Sequence, residues 1–291
     1  MRYGNYGKRA AAVLIVACCL ANALPAGAET ILRENFESMD LGERWEKLSD
    51  DTTRANFETR PEFVHSGKAS YRISSPEPEG EGYQIHGYQY RESDSWIRTW
   101  FLPGYDRVYV RWYAKFDKEF NQGRQMHWCG LRGCRTDDPN TGFGRAGERP
   151  DGTDRFTTSI EPAFTQGREH PGQMCFYSYW PEMKQSGDGK YWGNRFYADP
   201  PFYIERDKWY CFEVMVKLNQ PGERNGEQAL WVDGKKIIHE KDFRWRDSEI
   251  LKLNLWKFGL YIHYSEQDCT YWVDDLLIST EYVGPEECDA P

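Results

Sequence analysis

A glutamine and a histidine two positions apart form the first pattern in this sequence that suits chemistry. The run GRQMHWC covers residues 123–129, and as a β-strand it places Gln125 and His127 on one face, with Met126 and Trp128 toward the core. An amide donates hydrogen bonds to a carboxylate, and an imidazole gains or loses a proton near neutral pH. We therefore predict that this face grips an acidic group or moves a proton. The alternative is a structural histidine, hydrogen-bonded in the core.

A second pattern lies in the run LWKFGLYIHY, residues 255–264. As a strand it has one almost wholly apolar face, while Lys257, Gly259, Tyr261 and His263 line the other. A cation, a phenol and an imidazole in one row suit a binding floor, and Gly259 leaves room for a ligand to approach the backbone. The alternative is the solvated outer face of an antiparallel sheet.

The N-terminus has the pattern of a secretory signal peptide. Basic residues precede an apolar run at residues 10–20 and the small-residue sequence Ala26-Gly27-Ala28, which predicts cleavage after Ala28. The apolar run is too short to span a bilayer comfortably, and no later stretch is apolar enough. We expect a secreted or periplasmic protein without a membrane partner, with one monomeric domain over residues 29–291.

Charge and cysteine content narrow the partners and the chemistry further. The formal net charge of −9 argues against nucleic acid as a partner. Of the eight cysteines, Cys18 and Cys19 precede the predicted cleavage site, so an even set of six remains, which suggests disulfides in an exported chain. Cys129 and Cys134 bracket a glycine-rich turn, so we predict that they are bridged.

Alternating apolar and polar residues predict an all-β protein. The Asp233-Gly234 pair marks a hairpin turn, and residues 130–154, rich in Gly, Arg, Asp and Pro, are predicted to form a long loop. No long amphipathic helix is evident. The pattern favours a two-sheet antiparallel β-sandwich, a jelly roll of the concanavalin A-like kind, with its ligand on a concave sheet. The predicted strands cover residues 29–37, 63–74, 84–91, 107–116, 156–162, 173–180, 209–218, 228–238, 255–264 and 270–280.

These motifs resemble those of alginate lyases of polysaccharide lyase family 7. That family carries R-x-E-L-R, Q-I-H or Q-V-H, and Y-F-K-A-G-x-Y-x-Q. Gln125-Met126-His127 matches the second motif, and residues 255–263 follow the third at Lys257, Gly259 and Tyr261. The arginine motif is reduced to Arg91 with a neighbouring glutamate. Heparin lyases and glucuronan lyases share the jelly roll and a similar set of side chains, so the resemblance is to this group.

The resemblance implies a lyase that cleaves a uronic-acid polysaccharide by β-elimination without a cofactor. Such an enzyme must neutralise the carboxylate, remove the C5 proton and protonate the departing O4. Gln125 and Arg91 suit the first role, and Tyr261 or His127 suits the base. Tyr261 also suits the acid, and Lys257 would hold a neighbouring anionic sugar. Further candidates for substrate binding in the same groove are His263, Tyr177, Tyr179, Arg111 and His86.

Two other functions remain open from the sequence. A carbohydrate-binding jelly roll without catalysis would explain the 16% aromatic content. A glycoside hydrolase needs two nearby carboxyl groups, and the E-x-D-x-E pattern of jelly-roll glucanases is missing. No metal is required, although Glu37 and Asp275, on the first and last predicted strands, are candidates for a structural calcium site.

Overall fold

The computed structural model describes residues 28–85, 88–168 and 170–286, and these fold mainly into antiparallel β-strands. Short 3₁₀ turns occur at Gly42–Arg44, Pro61–Phe63 and Pro139–Gly142. The strands are β1 (Thr30–Glu34), β2 (Trp45–Lys47), β3 (Ala55–Glu58), β4 (Ser70–Ser75), β5 (Tyr83–Ile85), β6 (Tyr88–Tyr90), β7 (Ser93–Tyr105), β8 (Arg107–Phe116), β9 (Met126–His127), β10 (Gly130–Arg135), β11 (Arg155–Ala163), β12 (Gln173–Tyr179), β13 (Asn194–Tyr197), β14 (Trp209–Lys217), β15 (Gly226–Val232), β16 (Lys235–Phe243), β17 (Leu251–Ile262) and β18 (Cys269–Ser279).

Two large sheets form the sandwich, which confirms the predicted fold class. One sheet has the order β16-β15-β14-β8-β18-β4-β3, with β1 paired to β18. The other, called the floor sheet below, has the order β13-β12-β11-β10-β17-β7-β2, with β9 paired to β17. Strands β5 and β6 form a separate small hairpin. No helix in the part of the chain that is described is long and apolar enough to cross a membrane.

Large aromatic side chains fill the space between the two sheets. Trp112 of β8 contacts Trp256 of β17, with ring centroids 4.9 Å apart, and Trp128 at 6.0 Å. Phe258 joins the same cluster at 6.1 Å from Trp112. All four side chains are almost fully buried. Truncation of one such ring to alanine typically costs about 3–5 kcal/mol, so this cluster fixes how the floor sheet lies on its partner.

Strand β17 lies in the middle of the floor sheet and sets the positions of the candidate residues. Its apolar residues face the core, so Lys257, Gly259 and Tyr261 face outward, as predicted from their alternation. Lys257 lies opposite Arg98 of β7 and Gly130 of β10. Tyr261 lies opposite Asp94 on one side and His127 of β9 on the other. The two sequence patterns therefore meet at one end of this strand.

Strands β7 and β10 were missed by the sequence prediction. The inward positions of β7 include Ser95 and Thr99, whereas the outward positions include Trp96 and Trp100, which reverses the usual polarity of a half-buried strand. Ser95 is tolerated in the interior because its hydroxyl donates to the carbonyl of Arg54. Residues 130–135, predicted as loop, pair with both β11 and β17.

The predicted Cys129–Cys134 disulfide is wrong. Both thiols are free and buried, as are those of Cys175, Cys211 and Cys269. The glycines between Cys129 and Cys134 form strand β10 rather than a turn. Five residues of extended chain separate the two α-carbons by about 16 Å and place their side chains on opposite faces, whereas a disulfide needs less than about 7 Å. Cys288 lies outside the described residues.

We predict that Gly133→Ala lowers the free energy of unfolding by about 1–3 kcal/mol. A β-carbon at this position would lie 1.9 Å from the ring of Phe156, which is fully buried and cannot move aside. Gly187→Ala is the matched control, because nothing lies within 4 Å of the added carbon. Urea unfolding measures the difference, and equal stability of the two variants would contradict the packing described here.

Candidate active site

His127 lies at the centre of a polar cluster on the outer face of the floor sheet. Its Nε2 is 3.5 Å from the amide nitrogen of Gln125 and 3.1 Å from Nε2 of His263. The rings of His127 and Tyr261 are stacked, with centroids 5.8 Å apart. Pairing of the short strand β9 with the end of β17 brings these residues together. The structure thus places four of the predicted residues in one cluster.

A buried carboxylate orients the imidazole of His127. Oε2 of Glu161, on β11, lies 2.9 Å from Nδ1 of His127. The Glu161 side chain is only 1% exposed, whereas that of His127 is 25% exposed. An ionised carboxylate only accepts, so Nδ1 carries the hydrogen and Nε2 of the neutral ring is left with a lone pair. Nε2 can therefore take a proton from a ligand.

The sequence analysis did not identify Glu161 or Arg195 as candidates. Arg195 of β13 places Nη2 3.4 Å from Oε1 of Glu161, and its guanidinium covers the ring of Tyr177 at 5.0 Å. Burial acts to lower the pKa of Arg195, but the acidic neighbours together, of which Glu161 contributes most, raise it. The signal in the sequence was Glu161 itself, the one acidic residue in the predicted strand 156–162.

Two tyrosines of β12 border the imidazole on its other side. The ring of Tyr177 lies 4.9 Å from that of His127, and its hydroxyl is 3.4 Å from the hydroxyl of Tyr179. Burial, with smaller contributions from Tyr179 and Glu161, raises the pKa of Tyr177 well above its usual value. Gly193 makes room for this ring, since a β-carbon there would lie 2.5 Å from it. Tyr177 is therefore a protonated phenol beside the histidine.

Tyr261 donates its hydroxyl hydrogen to Glu92, at the start of β7. Burial and this carboxylate raise the pKa of Tyr261 well above its usual value, so the phenol stays protonated. The same carboxylate raises the pKa of Tyr83 to about 12 through a hydrogen bond. Tyr83 stacks on Tyr90, and Tyr90 contacts the ring of His263. The β5–β6 hairpin is thereby tied to the cluster through Glu92.

The space above Gly259 is taken by Lys257. A β-carbon on Gly259 would lie 2.5 Å from Cε and 3.1 Å from Nζ of this lysine. The glycine therefore lets Lys257 lie along the floor with its ammonium over Gly259. Burial lowers the pKa of Lys257 to about 8; the charge of Asp94 opposes this shift and that of Arg132 adds to it. Lys257 thus places a cation beside the cluster.

The guanidinium groups of Arg91 and Arg111 are not brought to the cluster. The guanidinium of Arg91 holds the preceding loop, with Nη2 2.7 Å from the carbonyl of Pro78 and 3.1 Å from Oε1 of Glu77. Arg111 lies on β8 in the other sheet, buried on its outer face, and pairs with Glu286 at 3.0 Å. His86 lies outside the described residues.

The two carboxylates predicted for calcium lie around one turn, at residues 65–69. Oε1 of Glu37 accepts from the backbone amides of Lys68 and Ala69, at 2.8 and 3.0 Å. Oδ2 of Asp275 lies 2.9 Å from Nδ1 of His65. Within residues 28–85, 88–168 and 170–286, no group of three His, Cys, Asp or Glu side chains is arranged to hold a metal ion. The calcium site stays a prediction.

We predict that His263 remains neutral down to about pH 4. Burial, followed by the nearby charge of His127, lowers its pKa to about 4, below the usual 6.5. Protonation then favours the unfolded state, so His263 removes stability as the pH falls from about 6.5 through about 4. NMR titration of the ring measures the pKa. His127→Ala should raise it, and a midpoint near 6.5 in the wild type would contradict this environment.

Three comparisons with known proteins show what the whole chain is similar to. A family model described as Polysaccharide lyase 14 matches residues 68–262. The crystal structure of an alginate lyase from Aplysia kurodai is similar, with a TM-score of 0.62 and 15% identity over 87% of this chain and 100% of that chain. An alginate lyase from a Chlorella virus gives 0.60 and 15% over the same shares. An endo-β-1,4-glucuronan lyase from the fungus Trichoderma reesei gives 0.50 and 10%, covering 87% and 96%. No curated protein matches.

Proposed function

The chain belongs to the polysaccharide lyase 14 family, and on this premise we propose that it cleaves a uronic-acid polysaccharide by β-elimination at the cluster around His127. The protein is a polysaccharide lyase of the jelly-roll group, as the resemblance predicted, although the motifs compared were those of family 7. One observation carries the proposal. An imidazole oriented by a buried carboxylate lies between two protonated phenols on the outer face of the floor sheet.

His127 is the base in this proposal. Its Nδ1–H donates to Glu161, and the carboxylate stabilises the imidazolium that forms when Nε2 takes the C5 proton. His263 lies 3.1 Å away, but its lowered pKa makes it a poor acceptor, so it donates its Nε2 hydrogen instead. Bound substrate would take the place of this contact between the two histidines. Of the two histidines, His127 is the one that contacts a buried carboxylate.

Tyr261 is the acid that protonates the departing O4. Its raised pKa keeps the phenol protonated before turnover, and the phenolate left after proton transfer to O4 is reprotonated from solvent. Tyr177 has a similarly raised pKa and lies closer to His127, ring to ring, so it is the second candidate for this role. Neither phenol suits the base, because its ionised form is disfavoured.

Gln125 and Arg195 neutralise the substrate carboxylate, and Lys257 holds an acidic group beside the bond that breaks. The Gln125 amide lies 3.5 Å from Nε2 of His127, so a carboxylate bound to it would have its α-proton near the base. Arg195 takes the role predicted for Arg91, whose guanidinium is engaged with the loop before β5. Negative charge that develops on the carboxylate is thereby stabilised. This elimination calls for no cofactor.

Export from the cell is a further part of the proposal. It is supported by the basic start, the apolar run at residues 10–20 and Ala26-Gly27-Ala28, of which residues 1–27 lie outside the described part. The mature protein is then one monomeric domain from Glu29 to Pro291, secreted or periplasmic. Sequencing of the exported protein checks this, since its first residue should be Glu29.

Activity is tested by incubating the protein with glucuronan, alginate, heparin and ulvan. Elimination creates a C4–C5 double bond, which absorbs in the ultraviolet. Increasing absorbance with at least one polymer is expected, and mass spectrometry of the products identifies the uronic acid. Constant absorbance with every polymer, across several pH values, would contradict the proposal.

We predict that Tyr261→Phe lowers kcat by about 10²- to 10⁴-fold and hardly changes affinity. Phenylalanine keeps the ring and its packing but removes the hydroxyl that supplies the proton. Lys257→Ala is the contrasting variant, because loss of a binding cation acts mainly on KM and its salt dependence. If Tyr261→Phe kept more than about half of the wild-type rate, the acid would have to be Tyr177.

A further inference from the structure

We propose that Arg98, Arg132 and the ring of Phe143, which both guanidinium groups contact, form a second anion subsite on the floor sheet. It would bind the carboxylate or sulfate group of a sugar that lies at a distance from the bond that is cleaved. The inference rests on the proposed function in one respect, namely that the floor binds an acidic polysaccharide. It does not depend on which residue moves the proton.

The two guanidinium groups lie against one aromatic ring. The Arg98 guanidinium carbon is 4.4 Å from the centroid of Phe143, and that of Arg132 is 4.9 Å from it. Phe143 follows the 3₁₀ turn Pro139–Gly142, so this turn brings the ring over the floor. The Arg98 guanidinium also covers Trp96 at 4.8 Å. Aromatic rings around fixed guanidinium groups suit a sugar that bears an acidic group.

Positive charge is in excess on the part of the floor sheet around Arg98 and Arg132. Arg132 donates from Nη1 to the carbonyl of Gly142 at 2.8 Å, and no carboxylate of the described residues lies within 4.0 Å of it. Burial lowers the pKa of Arg132; the charges of Arg98 and Arg155 add to this shift, and those of Cys134 and Asp94 oppose it. Lys257, directly opposite Arg98 on β17, brings a further cation. An incoming anion would relieve this repulsion.

Glu46 shows how a carboxylate is held here. On the edge strand β2, its Oε2 accepts from Nε of Arg98 at 2.6 Å, and its Oε1 accepts from the indole of Trp100 at 2.9 Å. The Glu46 side chain is 45% exposed, so it can be displaced. An internal carboxylate therefore occupies the Arg98 side of the subsite and competes with the ligand.

The competition predicts opposite effects for two substitutions. Arg98→Gln should weaken binding of acidic polymers by about tenfold, the loss expected for one charge-assisted hydrogen bond, and should reduce the salt dependence. Glu46→Gln keeps an acceptor for Trp100 but removes the competing charge, so it should strengthen binding by about two- to threefold. A merely structural ion pair would give losses in both variants.

Binding is measured by affinity electrophoresis in the Tyr261→Phe background, so that no polymer is consumed. The probes are polyglucuronate, dextran sulfate and neutral dextran. Effects on polyglucuronate alone identify a carboxylate subsite, effects on both acidic polymers identify a general site for acidic groups, and effects on dextran sulfate alone identify sulfate. The control variants Arg107→Gln and Glu281→Gln break an exposed ion pair on the other sheet and should change nothing.

Three results would overturn the subsite. They are unchanged affinity for both acidic polymers in Arg98→Gln and Glu46→Gln, a shift in the same direction in both variants, or no binding of either acidic polymer by the parent protein. Failure of the lyase proposal is separate, because product formation plays no part in this measurement. A protein that binds acidic polymers in the predicted way without elimination would keep the subsite and lose the catalytic assignment.

Discussion

The contact between Glu161 and His127 is the interaction on which the candidate site depends. A carboxylate that is 1% exposed is costly unless hydrogen-bonded, and here Nδ1 of His127 at 2.9 Å and Arg195 at 3.4 Å provide partners. The same contact fixes the tautomer of the imidazole and directs Nε2 toward the exposed side. Burial of one acid in β11 therefore sets the chemistry of a histidine on β9. The proposed roles of the two phenols, Tyr177 and Tyr261, and of the Gln125 amide follow from their positions around Nε2 of His127.

Burial also keeps the neighbouring groups in distinct protonation states. His263 is neutral because its pKa is lowered to about 4, and Tyr177 and Tyr261 are protonated because theirs are raised. Burial lowers the pKa of Lys257 to about 8, so this side chain is charged at neutral pH. In the proposed mechanism, this one partly buried floor supplies a base, two acids and a cation. Gly259 contributes by letting the lysine lie flat rather than by admitting the ligand.

Local sequence patterns predicted the parts of this structure that depend on alternation. Strand β8 matches the predicted range 107–116, and the outward row of β17 was read from its two-residue period. Local patterns also identified four residues of the cluster, because each lies in a short motif within a single predicted strand. These residues are Gln125, His127, Tyr261 and His263. Glu161 and Arg195 were not, because their roles arise from pairing across β11, β12 and β13, which local periodicity does not contain. The prediction of a Cys129–Cys134 disulfide was wrong for a related reason. The glycines between these cysteines were interpreted as a turn, but they belong to a strand that pairs on both edges.

The account is tested most directly by the rate of unsaturated product formation in Glu161→Gln. Glutamine has nearly the same shape but cannot stabilise an imidazolium and can present a donor to Nδ1, which favours the wrong tautomer of His127. We expect kcat to fall by about 10²-fold or more, while affinity for the polymer stays close to that of the wild type. A variant that turns over at the wild-type rate would show that the buried carboxylate does not support a histidine base, and the assignment of His127 would be wrong.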